Sequence, residues 1–345
     1  MTRAPAVSAC RLLIFVVLGF VRLADADEPA SPALVGGVDS IGMTVRDAER
    51  AVRFYSDVLD FRKSADIELA GEACERMAGI VGARARAVRM SLGDEAIELA
   101  EFLAPHGGRP MPADSRSNDH WFQHIAIVVR DIDEAYRRLR KHKVEHASSA
   151  PQRLPDWNKN AAGIEAFYFR DPDGHFLEII HFPRGKGHPK WQEPTDRLFL
   201  GIDHTAIVVA DTDAALNFYR DRLGLAVVGE SENFGTEQEH LNNVFGARLR
   251  ITSLRAQRGP GVELLEYLNP RDGRRPPPDS KANDIWHWQT RLRTDQVGKA
   301  ADAVRAGGGR LVSPSLIAPS DNRLDYTRGL LARDPDGHAL LLTEK

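Results

Sequence analysis

The chain repeats itself, and nothing else in it limits the possible folds as strongly. Gly201 to Leu225, GIDHTAIVVADTDAALNFYRDRLGL, matches Gly37 to Phe61, GVDSIGMTVRDAERAVRFYSDVLDF, at a displacement of 164 positions. Gly37/Gly201, Asp39/Asp203, Val45/Val209, Asp47/Asp211, Phe54/Phe218, Tyr55/Tyr219 and Leu59/Leu223 coincide. A shorter copy opens at His124, where HIAIVVRDIDEA stands against HTAIVVADTDAA from His204. Asn118-Asp119 returns as Asn283-Asp284 and Trp121 as Trp286, both displaced by 165, and the turn Asp171 to His175 (DPDGH) returns at Asp334 to His338. One supersecondary unit has been reused, so the architecture is a question of how its copies pack.

Each copy opens with an apolar run, passes an aspartate turn and enters an amphipathic stretch. Val38 to Val45 reads as a strand, and Asp47 to Leu59 as a helix with Ala48, Ala51, Val52 and Tyr55 on one side. Ala85 to Leu92 and Ala96 to Leu103 read as strands joined by a Gly93-Asp94 turn, and Pro105 to Asp119 as a loop. The unit restarts with a strand over Phe122 to Val129, a helix over Ile132 to Lys143, and strands over Gly163 to Phe169 and His175 to Phe182. The expectation is an α+β chain of four β-α-β-β-β modules. Modules one and two fill a domain over 34–183, 184–198 connects, and modules three and four fill a domain over 199–345.

A chain of 345 residues can bury two cores of ordinary size. The net charge of −3, with mixed signs throughout, leaves no basic footprint for nucleic acid. Residues 1–26 have the order of a secretory signal: Arg3 and Arg11, an apolar run from Leu12 to Val21, then Ala24-Asp25-Ala26. That run is too short to span a bilayer comfortably, so the expectation is export to the periplasm or outside, without a stable membrane span. Cys10 would leave with the signal, and Cys74 alone allows no internal disulfide. A monomer or a homodimer fits equally.

With the Phe54-Tyr55…Leu59 and Phe218-Tyr219…Leu223 helices, the Ile97-Glu98-Leu99 and Val262-Glu263-Leu264 strands and the two DPDGH turns in view, the chain resembles the vicinal oxygen chelate superfamily. This is the group of glyoxalases, bleomycin-resistance proteins and extradiol dioxygenases, and the resemblance covers nearly everything after residue 34. It implies two tandem domains of paired modules, each pair a curved mixed sheet around a cavity. It also implies ligands from the start of each module's first strand and from each last strand. The reaction stays open, because one fold hosts many chemistries.

Strand alternation gives an independent reading. His204, Ala206 and Val208 share one face and Thr205, Ile207 and Val209 the other; His124, Ala126 and Val128 oppose Ile125, Ile127 and Val129 in the same way. The β-branched face should pack on helices and leave the histidine–alanine face to a cavity. Glu178, inside Phe176 to Ile180, is costly in so apolar a run unless paired or metal-bound.

Carried over residue by residue, the family's ligand positions are Ser40 and Glu98 in module one, His124 and Glu178 in module two, His204 and Glu263 in module three, and Gln289 and Leu341 in module four. If modules pair within each domain, each site lacks a ligand. If module two pairs with module three, one pocket gathers His124, Glu178, His204 and Glu263, and the other keeps Ser40, Glu98, Gln289 and Leu341. The second arrangement predicts one divalent ion, of Ni, Co, Zn, Fe or Mn, on two histidines and two glutamates. Trp121, Tyr168, Gln289 and Glu98 are further candidates for the pocket wall, whereas His175 and His338 read as turn or surface residues.

The resemblance then implies a glyoxalase-like lyase or isomerase, its ion binding adjacent substrate oxygens while Glu178 or Glu263 acts as base. Two alternatives stand beside it. One is an Fe(II) extradiol-type dioxygenase, disfavoured because Arg248 to Tyr267 lacks the extra histidine of that group. The other is a metal-free small-molecule binding protein, consistent with the decayed positions Ser40, Gln289 and Leu341.

Overall fold

The computed structural model describes residues 1–2 and 33–345 apart from residue 320, and the apolar run and cleavage point of the expected secretory segment lie outside them. Aspartate starts three of the helices. Asp47, Asp131 and Asp211 have extended backbones, and each carboxylate accepts from the N–H three residues on. That satisfies an amide the first helical turn leaves free.

Module one runs β1 (Gly37–Val45), α1 (Ala48–Leu59), β2 (Arg62–Leu69), α2 (Glu72–Ala78), β3 (Arg84–Leu92) and β4 (Glu95–Ala104). Module two runs β5 (Gln123–Val129), α3 (Ile132–Lys141), the short β6 (Glu145–His146) and β7 (Gln152–Arg153), β8 (Glu165–Arg170) and β9 (Phe176–His181). Module three follows with β10 (Phe199–Val208), α4 (Thr212–Leu216) continued by a wider turn over Asn217–Arg222, β11 (Ala226–Phe234), α5 (Thr236–Asn242), β12 (Arg248–Arg255) and β13 (Gly261–Asn269). Module four closes with β14 (Trp288–Arg293), α6 (Val297–Ala306), β15 (Arg310–Leu311), β16 (Arg328–Arg333) and β17 (Ala339–Glu344). The strands β2 and β11, which alternation did not reveal, are mostly exposed and polar edge strands.

The two modules of each expected domain, 34–183 and 199–345, do not share a sheet. One mixed sheet has the order β15-β16-β17-β14-β1-β4-β3-β2 and joins modules one and four; the other has the order β11-β12-β13-β10-β5-β9-β8-β6 and joins modules two and three. The seams are antiparallel, β1 on β14 and β5 on β10. The exchanged pairing is therefore the one adopted. Alternation along the central strands holds: Ile125, Ile127 and Val129 enter one apolar core with α1 and α3, while Ala206 and Val208 line the opposite side with Tyr168 and Leu265.

The repeated motifs lock the two sheets together. Tyr55 donates from its hydroxyl to Asp171 at 3.3 Å, and Tyr219 to Asp334 at 2.8 Å, each helix reaching the DPDGH turn of the other sheet. Expected at the surface, His175 and His338 are instead buried. His175 pairs through Nδ1 with Asp171 at 2.8 Å and through Nε2 with the Ile285 carbonyl at 2.7 Å, and His338 reaches the Val208 carbonyl at 2.7 Å. A tight turn leaves its last side chain free to cross to the neighbouring module, which is why these rings are interior. The long loops interlock reciprocally: Arg109 binds Asp284 and Arg274 binds Asp119, both at 2.6 Å. At Gly108 and Gly273 a Cβ would lie 1.7 and 1.9 Å from the Asn283 and Asn118 carbonyl oxygens, so only glycine fits.

Candidate metal centre

The four good ligand positions meet on the second sheet. In the β5–β10 seam His124 lies opposite Ala206, and His204 opposite Ala126. Glu178 lies beside Ala126 from β9, and Glu263 beside Ala206 from β13. The two histidines are thus diagonal neighbours, flanked by one carboxylate on each outer side, and the small alanines leave room between them.

One ligand atom each from His124, Glu178 and His204 lies within 4.8 Å of the others, and all three residues are buried. His124 Nε2 is 3.1 Å from Glu178 Oε2, and His204 Nε2 is 3.7 Å from the same oxygen and 3.4 Å from Glu263 Oε2. His204 Nε2 is buried with no hydrogen-bond partner among the described residues. A buried imidazole nitrogen aimed without a partner at two carboxylates, with a second imidazole beside it, fits a divalent cation on mixed nitrogen and oxygen ligands.

The supporting contacts orient these ligands. Glu263 accepts from Ser253 at 2.6 Å through its other oxygen. Asp203 accepts from His204 Nδ1 at 3.1 Å, and is itself held by Trp191 and Arg255, each at 2.8 Å. Carboxylate, imidazole and ligand position in line fix the tautomer that presents Nε2. Burial works against a proton on His204, but Glu263, then Asp203 and Glu178, outweigh it and push its pKa up to about 9. Asp203 is the residue that sequence reasoning missed. Strict alternation sends neighbouring side chains to opposite faces, but a bulge between Ile202 and His204 turns the two together. Its one signal in the sequence was the recurrence of the same aspartate as Asp39.

The cavity in front of the cluster measures about 590 Å³, within the range of small-molecule sites. Glu178, His204, Glu263 and Tyr168 line it, while His124 is buried and does not. Tyr168 lies opposite Glu178 in the ladder and packs on His124, ring centroids 5.0 Å apart. Burial, reinforced by Glu178, holds its hydroxyl well above the ordinary range, so it stays protonated.

The remaining candidates fall elsewhere. Glu98 and Gln289 line a separate cavity in the first sheet, together with Leu341. Trp121 lines neither cavity; its indole donates to Ser115 at 2.8 Å and lies under the Arg274 guanidinium, because the interlocked loops claim it.

Residues 37–179 and 201–342 match the model of the glyoxalase/bleomycin resistance protein/dioxygenase superfamily. The chain belongs to that superfamily. Among its members, a 2-epi-5-epi-valiolone epimerase of an Actinomyces species is 31% identical over 166 residues, which is 47% of this chain and 87% of that protein. Glyoxalase I of Zea mays shares the fold at a TM-score of 0.59 and 15% identity, over 89% of this chain and 92% of the maize one. A putative dioxygenase of Bacillus subtilis does so at 0.53 and 14%, over 90% and 86%. Of its two sheets, the second carries the two histidines and two glutamates that could hold an ion.

Proposed function

We propose that the chain is a metal-dependent epimerase or isomerase that moves a proton at a carbon beside a carbonyl in a small substrate with adjacent oxygens. The observation that carries this reading is the placement of Glu178 and Glu263 on opposite sides of His124 and His204. His124, His204, Glu178 and Glu263 would hold one divalent ion of Ni, Co, Zn, Fe or Mn, which when bound supplies Lewis acidity toward adjacent substrate oxygens. The likeness to a protein named as an epimerase supports the same class of chemistry.

The residues of the chain itself carry the proton transfer. Glu263 is the more accessible carboxylate, tethered by Ser253 through one oxygen with the other 3.4 Å from His204 Nε2 at the cavity wall, and it takes the proton. Glu178, buried beside both histidines, approaches from the opposite side of the seam, so proton return from there inverts the carbon. Tyr168, kept protonated, can donate to a substrate oxygen. Asp203 balances Arg255 in the lining and Glu230 pairs with Arg250 at 3.5 Å, leaving Glu178 and Glu263 without a fixed cation. With a divalent ion bound, that balance suits a neutral, hydroxyl-rich substrate better than an anionic one.

Incubation with polyhydroxylated cyclic ketones in D₂O, followed by NMR, tests the reading. Deuterium should enter at the carbon beside the carbonyl, and Glu263→Gln should slow it by about 10²–10⁴-fold while His124, Glu178 and His204 together retain the metal. Exchange unchanged in both Glu263→Gln and Glu178→Gln would contradict it.

A further inference from the structure

The first sheet holds a second cavity, built on the same plan but stripped of its ligands. By register, Gln289 replaces His124, Ser40 replaces His204, and Leu341 replaces Glu178. Arg291 stands where the second sheet has Ala126. Its buried guanidinium lies 3.2 Å from Glu98 and 3.3 Å from Asp39, bringing its own positive charge to the place a cation would need. Metal is thereby excluded, yet the space in front is not filled.

What remains is a cavity of about 130 Å³ walled by Ala73, Met77, Ala85, Ala87, Ala100 and Phe102. An apolar cavity of roughly that size accepts a single six-membered ring. One end is polar. Gly42 lies opposite both Gln289 and Glu98, so those two side chains flank it on one face of the sheet. His287 Nδ1 faces the Arg333 guanidinium at 3.5 Å and its Nε2 faces Gln289 Oε1 at 3.4 Å. Since a guanidinium only donates, Nδ1 accepts and Nε2–H donates, which turns the Gln289 NH₂ away from His287. Glu98 takes its bonds from Ser40, Arg89 and Arg291 on Oε1. Among the described residues, none is recorded on Oε2. Arg89, Arg291 and Arg293 balance Glu98, Asp39 and Asp325, so no net charge calls for an ionic ligand.

We propose that this cavity binds a small neutral monocyclic phenol without metal, its ring among the alanines and its hydroxyl donating to Glu98 and accepting from Gln289. The site is independent of the metal centre and of the reaction assigned to it.

Phenol and toluene are the probes, titrated calorimetrically into the full chain. Phenol should bind saturably with a Kd on the order of 0.1–1 mM, and toluene, lacking the hydroxyl, at least about tenfold more weakly. Cys74 lines the same cavity and reports occupancy without any mutation. At about ten times its Kd, phenol should slow alkylation of Cys74 by iodoacetamide roughly tenfold, read by peptide mass spectrometry. Ala100→Phe should abolish both binding and protection and leave metal content unchanged. No saturation by about 10 mM phenol with an unchanged Cys74 rate would overturn the proposal. So would binding that survives Ala100→Phe but is lost in His204→Ala. If Ala100→Phe fails to fold, Cys74 protection in the parent chain decides alone: protection supports the site and its absence overturns it.

Discussion

Leu341 occupies in the first sheet the place that Glu178 occupies in the second: each lies on the strand that runs parallel to its seam strand, opposite Arg291 in one case and Ala126 in the other. A carboxylate beside alanine leaves a charged gap that a cation can fill. Leucine beside arginine closes that gap with apolar surface and a fixed charge. The two sheets therefore diverge by correlated exchanges at matching positions.

Removing the fixed charge should be costly. Arg291→Ala leaves Glu98 and Asp39 with Arg89 and Arg293 alone, in a partly buried cluster. The expected loss is about 2–4 kcal/mol, measured by urea unfolding. Arg291→Lys should recover little of it, because Arg291 also donates to the Leu324 carbonyl at 3.0 Å through a second nitrogen.

The tyrosine latches should differ in weight. Tyr219→Phe removes a 2.8 Å bond to buried Asp334 and should cost about 1–2 kcal/mol. Tyr55→Phe removes a longer bond, 3.3 Å, from an Asp171 that His175 also holds, and should cost less than Tyr219→Phe. Paired denaturation curves check the order.

Asp203→Asn should keep the fold and weaken metal binding by about 10–100-fold, because the imidazole of His204 loses the partner that fixes its tautomer and raises its basicity. Metal titration of the variant against the parent chain measures it.

Metal affinity should rise with pH. In the folded, metal-free chain His204 holds its proton up to about 9, against about 6.5 for an unfolded histidine. Its stabilising contribution is fully present below about 6.5 and is lost as the pH climbs through 9. A cation must displace that proton, so affinity should increase by up to about tenfold per pH unit between those limits, with about one proton released. Calorimetry in buffers of different ionisation enthalpy reads both quantities.

If residues 1–26 direct export, intact mass of protein recovered from its native host should show a chain that starts near Asp27.

Much of the fold was legible because its signals are local. Asp47, Asp131 and Asp211 mark helix starts, and the apolar alternation from His124 and His204 marks the inner strands. The pairing was legible only indirectly, through the sorting of His124, Glu178, His204 and Glu263 into one set, because the apolar face of β5 would suit β1 or β10 equally and nothing local records which it meets. Arg291 escaped notice for the same reason: its equivalence to Ala126 exists only through the register of β14 with β17. Asp203 escaped because a bulge breaks the alternation on which the reading relied. The buried turn histidines escaped because their partners, the carbonyls of Ile285 and Val208, lie in other modules.

Modules two and three are proposed to build one metal centre together. Elemental analysis of the purified chain, beside His124→Ala, His204→Ala and Gln289→Ala, tests it most directly. Close to one equivalent per chain is expected, lost in both histidine variants and kept in Gln289→Ala. Two equivalents, none even after reconstitution, or loss in only one of the histidine variants would contradict it.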